Sequence, residues 1–543
     1  MYSRAIYVGD GGPPMSADPN DSTNEPGEGG HGAELEDAER ARSGEPIHFY
    51  GGKWTSALPL AIFVVWAIFQ SALLGIGDTT GLVAAMLVAL IISMLFVKGD
   101  WKVYANTVFQ GMTQRVAATA IVAWLWAGMF ADTIQVGGFV SGLVWAADAL
   151  SLGAALFPAI TFVLAGLLAT GIGTGYGAVI AFTALFFPAG VLLGANPVLM
   201  FGAILSGAVF GDNLAPVSDT TIVSAVTQDA DIGGVVASRF KYAIIAAVLA
   251  FAGYVAAGTM LGSPFDVNQG AQSLFVENSN PLGLAHLLSV AVVIATAVSG
   301  RHIIEAISWG IIVAFVLNVA LGLAAVSDMV VFTAPQGSGI AGSLSFLPFI
   351  ELAGPNGEAA VGGSLYTGAS GFFPLIILIL LIVAGAQIMI RGGGFEAIQD
   401  WLLDRFATSL RRAELTMVGG TGLVNAMITI NTAAEIAIAP YIARIGERFN
   451  INGYRRANIL DANSSALGYI FPWSGGVLVG FAELQTLPGQ FEWFTQAMIV
   501  NPVQVFPFVF HGWLLFFVFL VSAATGFGLE YVFDREAAGV ARV

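Results

Sequence analysis

The chain contains no cysteine, which excludes disulfides, thiol catalysis and thiolate metal sites. Its five histidines, His31, His48, His286, His302 and His511, do not fall at ligand spacing, so no zinc site is expected. Charge is scarce. Only 10% of residues are Asp, Glu, Lys or Arg, against about 25% in soluble globular chains. Lysine is reduced to Lys53, Lys98, Lys102 and Lys241. No Walker lysine motif occurs, so ATP-driven transport has no support. The Gly-rich run at Thr170 follows an apolar span rather than a strand, which also leaves a dinucleotide site unsupported. Period-2 alternation is missing as well, which excludes a transmembrane barrel.

What is present is apolar: 56% hydrophobic residues and a mean hydropathy of +0.79. Runs such as Leu58–Leu74, Leu82–Val97 and Phe372–Ile390 approach or reach the ~20 residues that cross a bilayer. The fold class is therefore an all-α polytopic membrane protein, with the lipid bilayer as its first partner. Candidate spans lie at 55–75, 80–97, 116–131, 153–170, 176–194, 197–226, 242–262, 282–299, 303–327, 371–390, 414–440, 457–480 and 506–530. Residues 1–53 are acidic, polar and poor in apolar side chains. They are expected to form a disordered cytoplasmic tail rather than a signal peptide. A transporter domain over 54–535 and a short tail over 536–543 complete the division. The net charge of −16 with so little lysine suits a halophilic source, since concentrated salt screens self-repulsion.

The basic residues beyond the tail sort cleanly. Lys98, Lys102, Arg115, Arg239, Lys241, Arg301, Arg391 to Arg456, Arg535 and Arg542 fall in one set of alternate loops. The other set, 76–79, 132–152, 263–281, 328–370 and 481–505, holds none. By the positive-inside rule the first set and both termini are cytoplasmic, in the cell membrane. Asp132 and Asp148 then flank a span at the outer surface.

That topology closes only if 153–194 enters and leaves from outside, and 414–440 from inside. Both have small, polar middles, Ala169-Thr-Gly-Ile-Gly-Thr-Gly-Tyr-Gly177 and Thr429-Ile-Asn-Thr-Ala-Ala-Glu435. Both read as re-entrant hairpins, whose non-helical tips need protein or water around them. A repeat accompanies them. Ala127-Gly128 followed by Gly137-Gly138-Phe139 recurs as Ala384-Gly385 followed by Gly393-Gly394-Phe395. Each copy leads to a hairpin and then to an interrupted helix, Gly211–Thr221 or Asp461–Trp473. Two inverted repeats, about 116–240 and 371–480, each with a re-entrant hairpin and a broken transmembrane helix, are the mark of a secondary transporter.

The interrupted helices carry the chemistry. Gly211-Asp-Asn-Leu-Ala-Pro-Val-Ser-Asp-Thr-Thr221 sets two carboxylates in apolar surroundings, at roughly 2.5–3.5 kcal/mol each on insertion scales. Pro216 cannot donate to the Asp212 carbonyl, so the helix should open there. Oxygen-rich, unwound backbone suits a small hard cation. The candidate cation and proton ligands are Asp212, Asn213, Ser218, Asp219, Thr220, Thr221, Asp461, Asn463 and Ser464, with Ser465 beside them. Thr170, Thr174, Asn431, Thr432 and Glu435 support them, Glu435 facing the inner vestibule. Na+ is expected at Asp212 and Asp219. A carboxylate that holds either Na+ or a proton gives antiport by competition. No cofactor and no nucleic acid is expected, only transported Na+ and H+.

Phe210 to Thr221 resembles the NhaC family of Na+/H+ antiporters, whose pattern reads roughly Phe-Gly-Asp-(Lys)-x-Ser-Pro-(Leu/Ile)-Ser-Asp-Thr-Thr. Ala169–Gly177 is similar to that family's Ala-Thr-Gly-Thr-Ser-Trp-Gly segment, and Leu460-Asp461 with Phe471-Pro-Trp473 to its Leu-Glu-Asp and Ile-Pro-Trp pattern. The resemblance covers about residues 55–530 by layout. It implies paired hairpins, broken helices, an ion-transporter activity and often a homodimer. Asn213 stands where many members carry a basic residue, and Asp461 is one acid where two are expected. Because the family includes exchangers of carboxylates and amines, these departures bear on the transported solute.

The leading expectation is thus a non-enzymatic Na+/H+ antiporter that exchanges cytoplasmic Na+ for external protons. The alternative is a Na+- or H+-coupled carrier or exchanger of a small organic anion or amino acid on the same scaffold. An intramembrane aspartyl protease is disfavoured, because its second Asp follows Tyr whereas Asp461 follows Leu460.

Overall fold

Helices in this chain start where a side chain or a proline can satisfy the first turn. The computed structural model describes residues 44–262, 279–354 and 359–532. Helix α1 (Leu58–Ile68) carries Pro59 in its first turn, where no N–H partner exists to be lost. Asp78 and Asp100 cap α2 (Thr79–Met94) and α3 (Trp101–Met112) by accepting from backbone N–H groups, the usual remedy for orphan donors.

Helices α4 (Arg115–Val136) and α5 (Phe139–Ala149) follow, joined at Gly138 with φ +76°. A hairpin of α6 (Phe157–Ile172) and α7 (Gly175–Leu192) turns at Gly173, φ +73°. Next come α8 (Pro197–Leu214), α9 (Asp219–Thr227) and α10 (Ile232–Met260). Helices α11 (Leu287–Val298) and α12 (Ile303–Leu321) precede three short strands. These are β1 (Val331–Ala334), β2 (Ile350–Leu352) and β3 (Ala360–Gly362), in the order β2-β1-β3. Strand β1 runs parallel to β2 and antiparallel to β3. The expectation of an all-helical chain omitted this small sheet, in which β-branched and aromatic side chains favour extended backbone.

After α13 (Ser364–Ser370) and α14 (Phe373–Arg391), Gly393 with φ +75° caps α15 (Gly394–Arg405). A second hairpin of α16 (Leu410–Ile428) and α17 (Asn431–Phe449) turns at Thr429, φ +64°. Helices α18 (Gly453–Leu467), α19 (Gly475–Gln490) and α20 (Phe510–Thr525) complete the order.

Among the described residues, nine helical stretches are long and apolar enough to cross a membrane. The protein is a polytopic helical membrane protein. Burial sorts its helices: 89% of the apolar window is buried in Gly175–Leu192 and Pro197–Leu214, against 28% in Ile232–Met260 and Ile303–Leu321. Helices α7 and α8 are therefore central, and α10 and α12 present apolar side chains outward, as lipid-facing helices do. Small residues allow the centre to close. A Cβ on Gly211 would meet Ala169 Cβ and the Gly166 carbonyl at 2.4 Å, so α6 and α8 touch backbone to backbone.

Three expectations need correction. Ile47 and Phe49 are buried, and the Ile47 N–H donates to the Arg391 carbonyl at 3.2 Å. The packed body thus begins before residue 54, because two apolar side chains in a polar stretch find a seat on it; residues 1–43 and 536–543 lie outside the described residues. Asp132 is 3% exposed rather than superficial, because α4 continues to Val136 and α13 covers it. Arg239 and Arg455, assigned to cytoplasmic loops, are fully buried. Helices α10 and α18 begin earlier than their apolar runs and carry both guanidiniums inward.

Candidate cation site

Two helix breaks face one another at the centre. In the first, α8 ends at Leu214 and α9 restarts at Asp219, around the proline that cannot donate backward. In the second, α18 ends at Leu467 and α19 restarts at Gly475. Each hairpin tip packs on the break of its own half and reaches across to the other. The Gly475 N–H donates to the Thr429 carbonyl at 3.0 Å, and a Cβ on Gly173 would strike Val217 Cγ2 at 2.4 Å. A Cβ on Gly175 would meet the Tyr469 hydroxyl, and one on Gly475 the Tyr176 hydroxyl. The two tyrosine rings lie 5.5 Å apart.

Asp212 sits in the last turn of α8, where the helix dipole disfavours negative charge. Donors compensate. The Ser218 hydroxyl donates to its Oδ1 at 2.8 Å and the Tyr469 hydroxyl approaches Oδ2 at 3.5 Å. The Gly175 amide, at the start of α7, also faces this carboxylate. Asp219 is the first residue of α9, where the same dipole favours it. It accepts from Thr220 N–H at 3.0 Å and from the Thr432 hydroxyl of the second hairpin. Asp219 is half-buried, and Pro216 and Val217 beside it are exposed, so this carboxylate borders an opening while Asp212 does not.

Asp461 has a different fate. Its carboxylate pairs with the Arg239 guanidinium, both side chains being fully buried. It also accepts from Thr221 at 3.1 Å, Ser224 at 3.4 Å and Ser465 at 2.8 Å. The same guanidinium donates to the Asn213 carbonyl at 2.8 Å and to Asn458 Oδ1 at 3.0 Å. Arg239 therefore takes up one of the carbonyls that the break sets free, and neutralises the acid on the opposite break. Nothing in its own neighbourhood in sequence announced this role; its partner stands in the other half of the chain.

Glu435 has no such partner. It is fully buried, not facing a vestibule, and both carboxylate oxygens lack a hydrogen bond. The charges that bear on it are Asp461, Asp219, Arg239 and Asp212. Asn213 and Asn463 behave alike. Each donates through Nδ2 to the carbonyl four residues back, of Val209 at 2.8 Å and of Ile459 at 2.6 Å. Each leaves a buried Oδ1 without a donor. Ser464 bonds the Asn431 carbonyl at 3.3 Å and receives Asn425 Nδ2 at 3.1 Å. Asn425, on α16, was not anticipated.

Among the candidates named from the sequence, the side chains of the first hairpin tip do not join the others. Thr170 bonds only the Gly166 carbonyl of its own helix, and Thr174 makes no capping bond at the start of α7. The first tip reaches Asp212 through backbone. The remaining arrangement is four carboxylates and one guanidinium, which is committed to Asp461. A low-dielectric centre does not hold three further negative charges without cations or protons. Among the described residues no group of three His, Cys, Asp or Glu side chains is close enough to grip a single metal ion. The oxygens present are those of a loosely held hard cation.

The family model of the Na+/H+ antiporter family matches residues 47–259 and 207–513, both matches containing Asp212, Asp219 and Arg239. The chain belongs to the Na+/H+ antiporter family. It is a membrane-embedded antiporter of that family, and its named relatives are transporters. It is 26% identical over 406 residues to the arginine/ornithine antiporter ArcD of Halobacterium salinarum, covering 72% of this chain and 77% of that one. It is 27% identical over 163 residues to the malate-2H+/Na+-lactate antiporter of Bacillus subtilis, covering 30% and 34%. Among solved structures, Neisseria gonorrhoeae MtrF matches with a TM-score of 0.39 and 11% identity, over 85% of this chain and 94% of that one.

Proposed function

We propose that this antiporter exchanges Na+ for protons across the cell membrane, with Asp212, Asp219 and Glu435 as the groups over which the two cations compete. The observation that carries this reading is the charge imbalance. Arg239 neutralises Asp461, and no ion pair engages the other three carboxylates among the described residues. With Asp212 and Glu435 buried and Asp219 half-buried, they require positive charge, and Na+ or H+ fits among the oxygens of Ser218, Thr432, Asn213 and Asn463. A site that must be neutral before it can reorient carries one cation in each direction and never travels empty. The two halves act as inverted repeats in this reading, with termini inside.

The test is a proton-flux assay in reconstituted vesicles with a preformed pH gradient, adding NaCl, LiCl, KCl and choline chloride in turn. Collapse with Na+ or Li+ but not choline is expected, and Asp212→Asn and Asp219→Asn should each abolish it while still inserting. No response to any cation would overturn the reading.

A second reading is an exchanger of small organic ions, and the similarity to an arginine/ornithine antiporter over 72% of the chain favours it. Unpaired carboxylates suit a guanidinium or an ammonium as well as Na+. Uptake of labelled arginine into ornithine-loaded vesicles, with no Na+-driven proton flux, would establish it instead.

A further inference from the structure

A second pair of buried carboxylates lies apart from the central four. Asp132 is near the end of α4, and Glu483 lies two turns before the end of α19. They are 3% and 2% exposed. Asp132 is the charged group that bears on Glu483, and neither carboxylate has an ion-pair partner among the described residues. The donors around Asp132 are neutral. The Thr367 hydroxyl of α13 donates to Oδ2 at 2.8 Å, and Gln490 Nε2 to Oδ1 at 3.2 Å.

The amide network fixes what remains. Because Gln490 gives its NH2 to Asp132, its oxygen faces Gln135, which donates to it at 2.6 Å. Gln135 cannot flip without setting oxygen against oxygen. Its own Oε1 is therefore held in the interior, where it has no donor, and Gln135 is only 7% exposed. Glu483 Oε1 is likewise buried and without a donor. Two donorless oxygens and two carboxylates, with Asp132 near the C-terminal end of α4 where the dipole adds negative potential, call for positive charge.

We propose that Asp132, Gln135 and Glu483 form a second site for a monovalent alkali cation. It lies between the C-terminal end of α4 and the second half of α19, with Thr367 and Gln490 orienting the Asp132 carboxylate. All its donor atoms are oxygens, and a carboxylate pair with one amide carbonyl matches a singly charged hard ion. It stands on the same two helices as Trp124 and Gly475, which line a small, mostly apolar cavity.

The test is equilibrium binding of radiolabelled Na+ to the purified full-length protein at fixed pH. Asp212→Asn/Asp219→Asn should keep a saturable component, and adding Glu483→Gln should remove it. Gln135→Leu, which leaves both charges in place, should weaken that component by about tenfold or more. Melting temperatures of the variants check folding. Saturable binding that survives Glu483→Gln on that background, or none without Asp212 and Asp219, overturns the proposal. So does stabilisation that responds to pH but not to Na+, which would mark a shared proton instead. Na+ held at Glu483 by a protein that shows no Na+/H+ exchange would uphold this site while the functional reading fell.

Discussion

Arg239 and Asp461 form an ion pair that no solvent reaches on either side, joining α10 to the broken helix of the other half. A pair of this kind is costly to leave half-made. Arg239→Met should destabilise the protein by about 3–5 kcal/mol, because the Asp461 charge is then buried alone. Arg239→Met/Asp461→Leu should recover most of the melting temperature, since an apolar pair of similar volume replaces both charges. Thermal melts in detergent decide this; a single variant as stable as wild type would show that the pair carries no structural weight.

Glu435 is the converse case, a charge-bearing group with no hydrogen bond. Glu435→Gln removes the charge at nearly constant volume. Its melting temperature should match or exceed that of wild type, because an isolated ionised carboxylate is expensive to bury. Exchange should nevertheless fall at least about tenfold, the loss of one cation-binding charge. Stability gained together with activity lost is the signature of a functional acid. A variant that transports at the wild-type rate would make Glu435 a bystander.

The first helix break was legible in the sequence because proline acts locally: Pro216 has no N–H, whatever surrounds it, and the helix opens beside it. Gly138 and Gly393 stood out only as matching members of a repeat; that each takes positive φ to turn into a new helix is what the structure adds. Thr429 was recognised as part of a tip, but nothing local foretold its left-handed backbone, which the Gly475 N–H on its carbonyl helps to hold. Arg239 was misread because the positive-inside rule counts a basic residue by its distance from an apolar run. That count cannot register a carboxylate 222 positions away. Asp132 failed in the same manner. Its burial depends on α13 and α19, and no pattern within α4 reveals what covers it.

Gly173 marks the first hairpin tip with φ +73° and packs against Val217. Gly173→Ala should lower exchange severalfold, because an L-residue in this region costs about 1–2 kcal/mol and the new methyl collides with Val217. Gly173→Ala/Val217→Ala should recover part of the activity by removing the collision alone. Single-turnover flux in vesicles at matched insertion levels separates these outcomes. If the double variant does no better than the single one, the backbone angle is the whole effect and Val217 is irrelevant to the tip.

Salt should distinguish the two kinds of ion pair in this acidic chain. Arg455 and Glu414 are each 1% exposed, and Arg455 also donates to Tyr242 at 3.0 Å and Ser522 at 2.8 Å. It thereby ties α18 to α10, α16 and α20. Lys53 and Glu396 pair at 2.6 Å with 58% of each side chain exposed. Glu414→Ala should lower the melting temperature at every salt concentration, because mobile ions do not enter the packed interior and screen it little. Lys53→Ala should have a small effect at low salt and none in concentrated salt, where exposed charges are screened. A salt titration of melting temperature on both variants reads the contrast directly. If concentrated salt rescued Glu414→Ala, the Arg455 guanidinium would have to be reachable by solvent ions, and the packing that buries it would have to open in solution.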